Sequence, residues 1–322
     1  MNKILVITGP TSSGKTSYSL ELAKSFSGEI ISADSMQIYR GMDIGTAKAT
    51  EEERKLAPHH LIDIISPNDS FSVEQYRALA LEKINEITAR GNLPIIVGGT
   101  GLYIDSLFRG PMNVSPESDP EYREALLASV KTDADKHALW ERLREIDPVS
   151  AEKIHENNVR RVARALEIYE KSGKPKSYFD ELSQKERPQL SPLVIAFDFY
   201  DRENLYKRIN KRVDKMIEDG LLSELQTLLD LGQLDKNSLA AQAIGYKELI
   251  AYIDGQCSFS EAVEEIKLST RRYAKRQLTW FRHMERKTVY LDDESGSLRP
   301  SDEVKKELFT LAANFFEGEY SE

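Results

Sequence analysis

Eight residues near the N-terminus, Gly9-Pro10-Thr11-Ser12-Ser13-Gly14-Lys15-Thr16, have the types and spacing of a phosphate cradle. Small residues let the main chain wrap an anion, so that consecutive N–H groups and the N-terminus of the next helix face it. Lys15 adds a mobile cation, and the Thr16 hydroxyl is a candidate magnesium ligand. An apolar run from Lys3 to Thr8 precedes the segment and reads as a buried strand; Leu20, Leu22, Ala23 and Phe26 follow at helical spacing. A P-loop needs that strand–loop–helix context. The expected ligand therefore carries a di- or triphosphate, as in the ATP-binding proteins that share the motif.

P-loop enzymes that move a phosphoryl group usually place a second carboxylate at the end of an apolar strand, to organise magnesium. Here the strand Leu93–Val97 runs instead into Gly98-Gly99-Thr100. Asp34 ends the strand Glu29–Ala33, where it could organise a metal, act as a general base or close an Asx-turn. Thr100 lies in a glycine-rich turn, where its hydroxyl either approaches a substrate or caps a helix over 101–108. The adjacent pair His59 and His60 suggests packing or surface roles, since neighbours on regular structure point in different directions.

These residues need a scaffold that brings strand ends together. Buried strands at 3–8, 29–33, 93–97, 193–199 and 288–291 alternate with helical patterns at 72–90, 204–229, 261–284 and 301–316. Such alternation predicts an α/β protein with a parallel sheet covered on both faces, a P-loop NTPase-like core with ligands at the strand carboxyl ends. Segment 113–190 shows no buried strand and reads as a helical insertion, leaving 1–112 and 191–322 as the core. The 322 residues are 40% hydrophobic and 30% charged, and no apolar run reaches the roughly 20 residues of a membrane span. An N-terminus that enters a strand at once, together with a single cysteine, Cys257, leads to the expectation of a cytoplasmic protein without disulfides.

The net charge of −9 hides local basic faces. Arg160, Arg161 and Arg164 share one side of a helix whose other side carries Val159, Val162, Ala163 and Leu166. Seven basic residues and one acid lie between Arg271 and Lys287. Such faces are either solvated surface or a track for a polyanion. Lys207, Arg208, Lys211 and Arg212 follow the strand ending at Phe199, and an arginine among them could clamp a diphosphate. The spacing does not select one of the four.

Taken together, GPTSSGKT, ISADSMQIYRGMDIGTAK, APHHLIDI and VGGTGLYIDSL closely resemble the tRNA dimethylallyltransferases. NNVRRVARALEIY, QAIGYKEL and TRRYAKRQLTWFR extend the likeness over nearly the whole chain. The resemblance implies transfer of a dimethylallyl group from its diphosphate to the exocyclic amine of the adenosine at tRNA position 37, beside the anticodon. It casts the P-loop as the holder of a leaving group, with Lys15, magnesium at Thr16 and Arg208 neutralising its charge. It makes Asp34 the base and places Thr100 near the amine. It assigns tRNA contacts to Asp34, Ser35, Met36 and Gln37, to Arg160, Arg161 and Arg164, and to Gln242, Gly245 and Lys247, with Arg123 a further candidate. The target base would be extruded from its loop. One cysteine cannot build the C-terminal zinc finger of eukaryotic members, so the expectation is a compact bacterial form working as a monomer, with no membrane and no obligate protein partner.

Three other readings share the P-loop. A prenyltransferase acting on free AMP or ATP would need no insertion or basic faces. A nucleotide or small-molecule kinase would transfer a γ-phosphate. A non-catalytic RNA-binding module would retain tRNA unchanged.

Overall fold

The computed structural model describes residues 2–110, 119–185 and 188–317. Its elements run β1 (Asn2–Thr8), α1 (Lys15–Ser25), β2 (Gly28–Ser32), α2 (Glu51–Leu56), β3 (His59–His60), α3 (Val73–Ala89), β4 (Leu93–Val97) and α4 (Gly101–Ser106). Five helices follow: α5 (Pro120–Ser129), α6 (Asp133–Ile146), α7 (Pro148–Lys153), α8 (Val159–Ser172) and α9 (Lys176–Lys185). The chain then returns through β5 (Leu190–Asp198), α10 (Arg202–Glu218), α11 (Leu221–Asp230), α12 (Tyr246–Ile253), α13 (Phe259–Phe281), β6 (Lys287–Tyr290) and α14 (Ser301–Glu317).

Two compact units result, one formed by Met1–Asp105 with Gln189–Glu322 and the other by Ser106–Pro188. In the first, six parallel strands lie in the order β3-β2-β4-β1-β5-β6. Ile4, Leu5, Val6 and Ile7 are all fully buried. That run of consecutive rather than alternating apolar residues marks a strand covered on both faces. The crossover from β1 to β2 skips one position, which β4 fills, so the carboxyl ends of β2, β4 and β1 stand side by side.

Helix ends follow local chemistry. Ser72 with Gln75 and Ser258 with Glu261 form capping boxes that start α3 and α13. The helix expected over 204–229 is two helices, because Gly220 adopts φ 99°, a left-handed conformation that ends α10 and turns the chain into α11. A residue with a Cβ there would cost about 1–2 kcal/mol. The pair His59–His60 forms a short edge strand that the sequence did not suggest, with Ile30 and Ile31 as its register partners.

The second unit begins at Ser106 rather than at 113. Of the expected insertion, residues 113–118 and 186–187 lie outside the described residues; the described remainder up to Pro188 holds only helices as regular structure. Its core joins Leu139 and Leu143 of α6 to Ala151 of α7 and to Val162, Ala165 and Leu166 of α8. α8 is strongly two-faced: Val162, Ala163, Leu166 and Ile168 are buried, whereas Arg160 and Arg161 are exposed.

Candidate active site at the strand ends

A cavity of about 1040 Å³ opens at the carboxyl ends of the central strands. Thr11, Ser12, Gly14, Lys15 and Thr16 of the P-loop line it, with Asp34 after β2 and Arg208, Lys211 and Arg212 from α10. The loop is built to receive an anion. Ser12 (φ 64°) and Gly14 (φ 86°) turn the chain, and the Ser12 and Ser13 hydroxyls are buried without a hydrogen-bond partner among the described residues. Lys15 Nζ folds back on its own loop, donating to the carbonyls of Gly9 at 3.0 Å and Pro10 at 2.8 Å.

The electrostatics are lopsided. Burial and then the neighbouring Arg212 guanidinium pull the Lys15 ammonium down to about 7, and Asp34 opposes them only in part. Burial likewise lowers Arg212 against the pull of Asp34. The Arg212 guanidinium makes no hydrogen bond or ion pair among the described residues, so Asp34 acts on it only through space. Arg208 reaches the P-loop differently: its Nε donates to the Ser12 carbonyl at 2.9 Å, and its guanidinium lies 5.9 Å from the Phe199 ring centroid. The family pattern picked Arg208, whereas Arg212 is the deeper cation. The spacing 208–212 carries the signal for both, since i and i+4 share a helix face.

Asp34 does close an Asx-turn, with one oxygen accepting Met36 N–H at 2.9 Å. Its carboxylate also faces the cavity, where it acts on Lys15, Arg212 and Tyr273, so turn and chemistry coincide in one residue. Thr100 is not part of the cavity lining. Its hydroxyl accepts Ser35 N–H at 3.0 Å and donates to Ser35 Oγ at 3.3 Å. Tyr273 has its phenol pushed up by burial and by the Asp34 charge, which Thr100 opposes in part.

The segment after Asp34 forms a wall of the cavity. Gln37 accepts Ser32 Oγ–H at 2.8 Å and donates to the carbonyls of Thr46 and Ala47. Lys48, 7% exposed, pairs with Asp43 and Asp63 and donates to the Tyr39 carbonyl. Glu224 of α11 accepts N–H groups from Asp43, Ile44 and Gly45 and the Tyr246 hydroxyl. These interactions explain why so many polar residues crowd into 34–48, but only the structure reveals Glu224 as the partner of residues 43–45 and Tyr273 as the phenol under the Asp34 charge.

The remaining candidates divide by what they touch. Gln242 is exposed in a 3-10 turn, Ala240–Gln242; Gly245 starts α12 at φ 100°, and exposed Lys247 lies 3.4 Å from the Glu248 carboxylate. In the second unit, Arg164 Nη1 donates to Glu167 Oε1 at 2.6 Å and Arg123 Nη1 to Oε2 at 3.4 Å. Arg160 and Arg161 are exposed, with no side-chain hydrogen bond or ion pair among the described residues. Of the histidine pair, His60 bonds Glu29 and His59 bonds the Ala57 carbonyl. No group of three His, Cys, Asp or Glu side chains able to hold a metal occurs among the described residues. No described helix is long and apolar enough to cross a membrane.

Known proteins match this arrangement from end to end. The tRNA dimethylallyltransferase of Bacillus subtilis (strain 168) is 48% identical over 318 residues, 98% of each chain. That of Carboxydothermus hydrogenoformans is 50% identical over 281 residues, 87% of this chain and 89% of its own. The full-length tRNA isopentenylpyrophosphate transferase of Bacillus halodurans aligns with a TM-score of 0.69 at 42% identity, covering 99% of this chain and 98% of that one. A eukaryotic dimethylallyltransferase captured acting on tRNA aligns with a TM-score of 0.81 at 29% identity, covering 99% of this chain and 80% of the other. The sequence pattern of the IPP transferases spans residues 37–284, and by this match and these relatives the chain belongs to the IPP transferase family.

Proposed function

We propose that this chain transfers the dimethylallyl group of dimethylallyl diphosphate to the exocyclic amine of adenosine 37 in the tRNA anticodon loop, releasing diphosphate. The observation that carries the reading is the charge pattern of the cavity. Two desolvated cations, Lys15 and Arg212, stand at the P-loop, and of the carboxylates that line the cavity Asp34 is the one whose charge acts on both. Cations suit a leaving group whose negative charge grows, and a carboxylate beside them suits a proton acceptor. The strand after which a phosphoryl-transfer enzyme would keep its metal carboxylate ends here in Gly98-Gly99.

The P-loop main chain, Lys15, Arg208 and Arg212 hold the diphosphate. The adenine amine attacks the allylic carbon, the carbon–oxygen bond breaks with its electron pair leaving on the diphosphate, and the amine proton passes to the Asp34 carboxylate. Thr100 acts behind Asp34, fixing Ser35 through its main-chain N–H. Thr16 lines the cavity and no cluster of ligating side chains among the described residues competes with it. Its hydroxyl would be the protein ligand of a magnesium ion bound with the diphosphate. Bound there, magnesium lowers the charge of the leaving diphosphate. Exposed Arg160 and Arg161, together with Gln242 and Lys247, would meet RNA. All these residues come from one chain, which we read as a cytoplasmic monomer.

Mass spectrometry of tRNA incubated with the protein, dimethylallyl diphosphate and magnesium tests the reading. A gain of one isoprene unit at adenosine 37 is expected. An unchanged mass overturns it, and transfer of the γ-phosphate of ATP to a small acceptor would install the kinase instead. Asp34→Ala should lower kcat by about 10²–10⁴-fold while leaving stem–loop affinity within about threefold; full turnover would remove Asp34 from the role of base.

A further inference from the structure

Gln277 of α13 is 4% exposed, and its amide spans two loops that the reaction depends on. Oε1 accepts Thr11 N–H at 2.8 Å, while Nε2 donates to the Gly99 carbonyl at 3.0 Å. A main-chain N–H only donates and a carbonyl only accepts, so the amide has a single satisfactory orientation. The packing is close as well: a Cβ at position 99 would stand 2.0 Å from Nε2, which only glycine avoids. One turn earlier on the same helix, buried Tyr273 feels Thr100, Gln277 and the Asp34 charge, and the Thr100 hydroxyl takes the Ser35 N–H beside Asp34. Residues four apart share a helix face. One face of α13 therefore grips the P-loop and the turn after β4 together.

We propose that Gln277 is a positioning residue for prenyl transfer, setting the separation between the loop that holds the leaving group and the turn that abuts the base. The inference rests on the prenyl-transfer reading above. Displacement at carbon requires the attacking nitrogen, the carbon and the leaving oxygen in line, and a misplacement of about 1 Å costs about 100-fold in rate. Thr11 N–H is already taken by Gln277, so this amide does not serve the diphosphate. Removal of the side-chain amide leaves Lys15, Arg208 and Arg212 in place, and binding of the diphosphate should survive where turnover does not.

Gln277→Met keeps the length and volume of the side chain and removes both hydrogen bonds. Gln277→Asn is one methylene shorter and reaches at most one partner. Both variants are compared with the unaltered chain for kcat and KM on dimethylallyl diphosphate with an anticodon stem–loop, for the Kd of inorganic diphosphate with magnesium, and for melting temperature. A fall in kcat of about 10- to 100-fold for Met, and a smaller fall for Asn, is expected, with Kd moving less than about threefold. An undiminished kcat overturns the role, as does a fall in diphosphate affinity that matches the fall in turnover. If Gln277→Met does not fold, Gln277→Asn decides by the same split. An unaltered chain that fails to prenylate RNA condemns the underlying function, whereas an active chain with fully active variants condemns only the role of Gln277.

Discussion

Lys15 and Arg212 share one nearby carboxylate, Asp34, and neither forms an ion pair with it. On α8, one fully buried carboxylate, Glu167, takes Arg164, Arg123 and the Asp119 N–H. Glu29 of β2 is treated like Glu167, with Arg90, Asn92 and His60 all bound to it. Burial pushes Glu29 up, but those hydrogen bonds outweigh it and hold the carboxyl at about 2. Where charge serves architecture, it is answered within the chain. Where it serves a ligand, it is left unanswered, at a cost in stability that the arriving anion offsets.

The cavity gives the largest test of that contrast. Arg212→Leu should weaken binding of inorganic diphosphate by about 100-fold, the effect of removing a charge-assisted hydrogen-bond donor from a desolvated site. Melting temperature should hold or rise, because a desolvated cation without an ion pair has been removed. A fall in both would make Arg212 a structural residue. Lys15 adds a pH signature. Its ammonium sits at about 7 without ligand, and a bound anion must raise it, so binding near pH 8 should take up a proton. Diphosphate affinity should then decline as pH rises above 7. Calorimetry in buffers of different ionisation enthalpy measures the uptake, and Lys15→Met should abolish it.

The paired carboxylates define the next test. Arg164→Ala leaves Glu167 buried with Arg123 and the Asp119 N–H still present, so the destabilisation should fall below the roughly 3–5 kcal/mol of a fully broken buried pair. A value of about 2 kcal/mol in urea unfolding is expected on that ground. Equal stability of Arg164→Ala and the unaltered chain would place Arg164 with the ligand-facing cations and erase the contrast.

Much of this was legible in the residue pattern. The P-loop, the three central strands and Asp34 could be placed because consecutive buried residues and strand-end turns are local signals. The basic run 207–212 pointed to the right helix face, but depth within a cavity depends on how α10 lies against the sheet, so Arg212 emerged only in three dimensions. Gln277 and Glu224 gave no local signal at all. Their partners lie 178 to 266 residues away for Gln277 and up to 181 for Glu224, and no periodicity encodes such pairings. Conversely, Arg160, Arg161 and Arg164 looked alike in sequence. Glu167, at i+3 from Arg164, separates them.

That separation yields the smallest and most discriminating effect. Arg160 and Arg161 are exposed and unpaired among the described residues, so truncating them breaks no internal bond and should leave melting unchanged. If each meets one phosphate, the double variant Arg160→Ala with Arg161→Ala should flatten the salt dependence of stem–loop binding. The slope should fall by about 0.7–0.9 per phosphate, for a total of about 1.4–1.8, with affinity reduced several-fold at moderate salt. Arg164→Ala, measured in the same series, should change stability far more than slope, since its guanidinium is already held by Glu167. A larger drop in slope from Arg164 than from the exposed pair would mean that an internally paired arginine serves RNA better than an unpaired one, and the rule drawn from the cavity would not extend to α8.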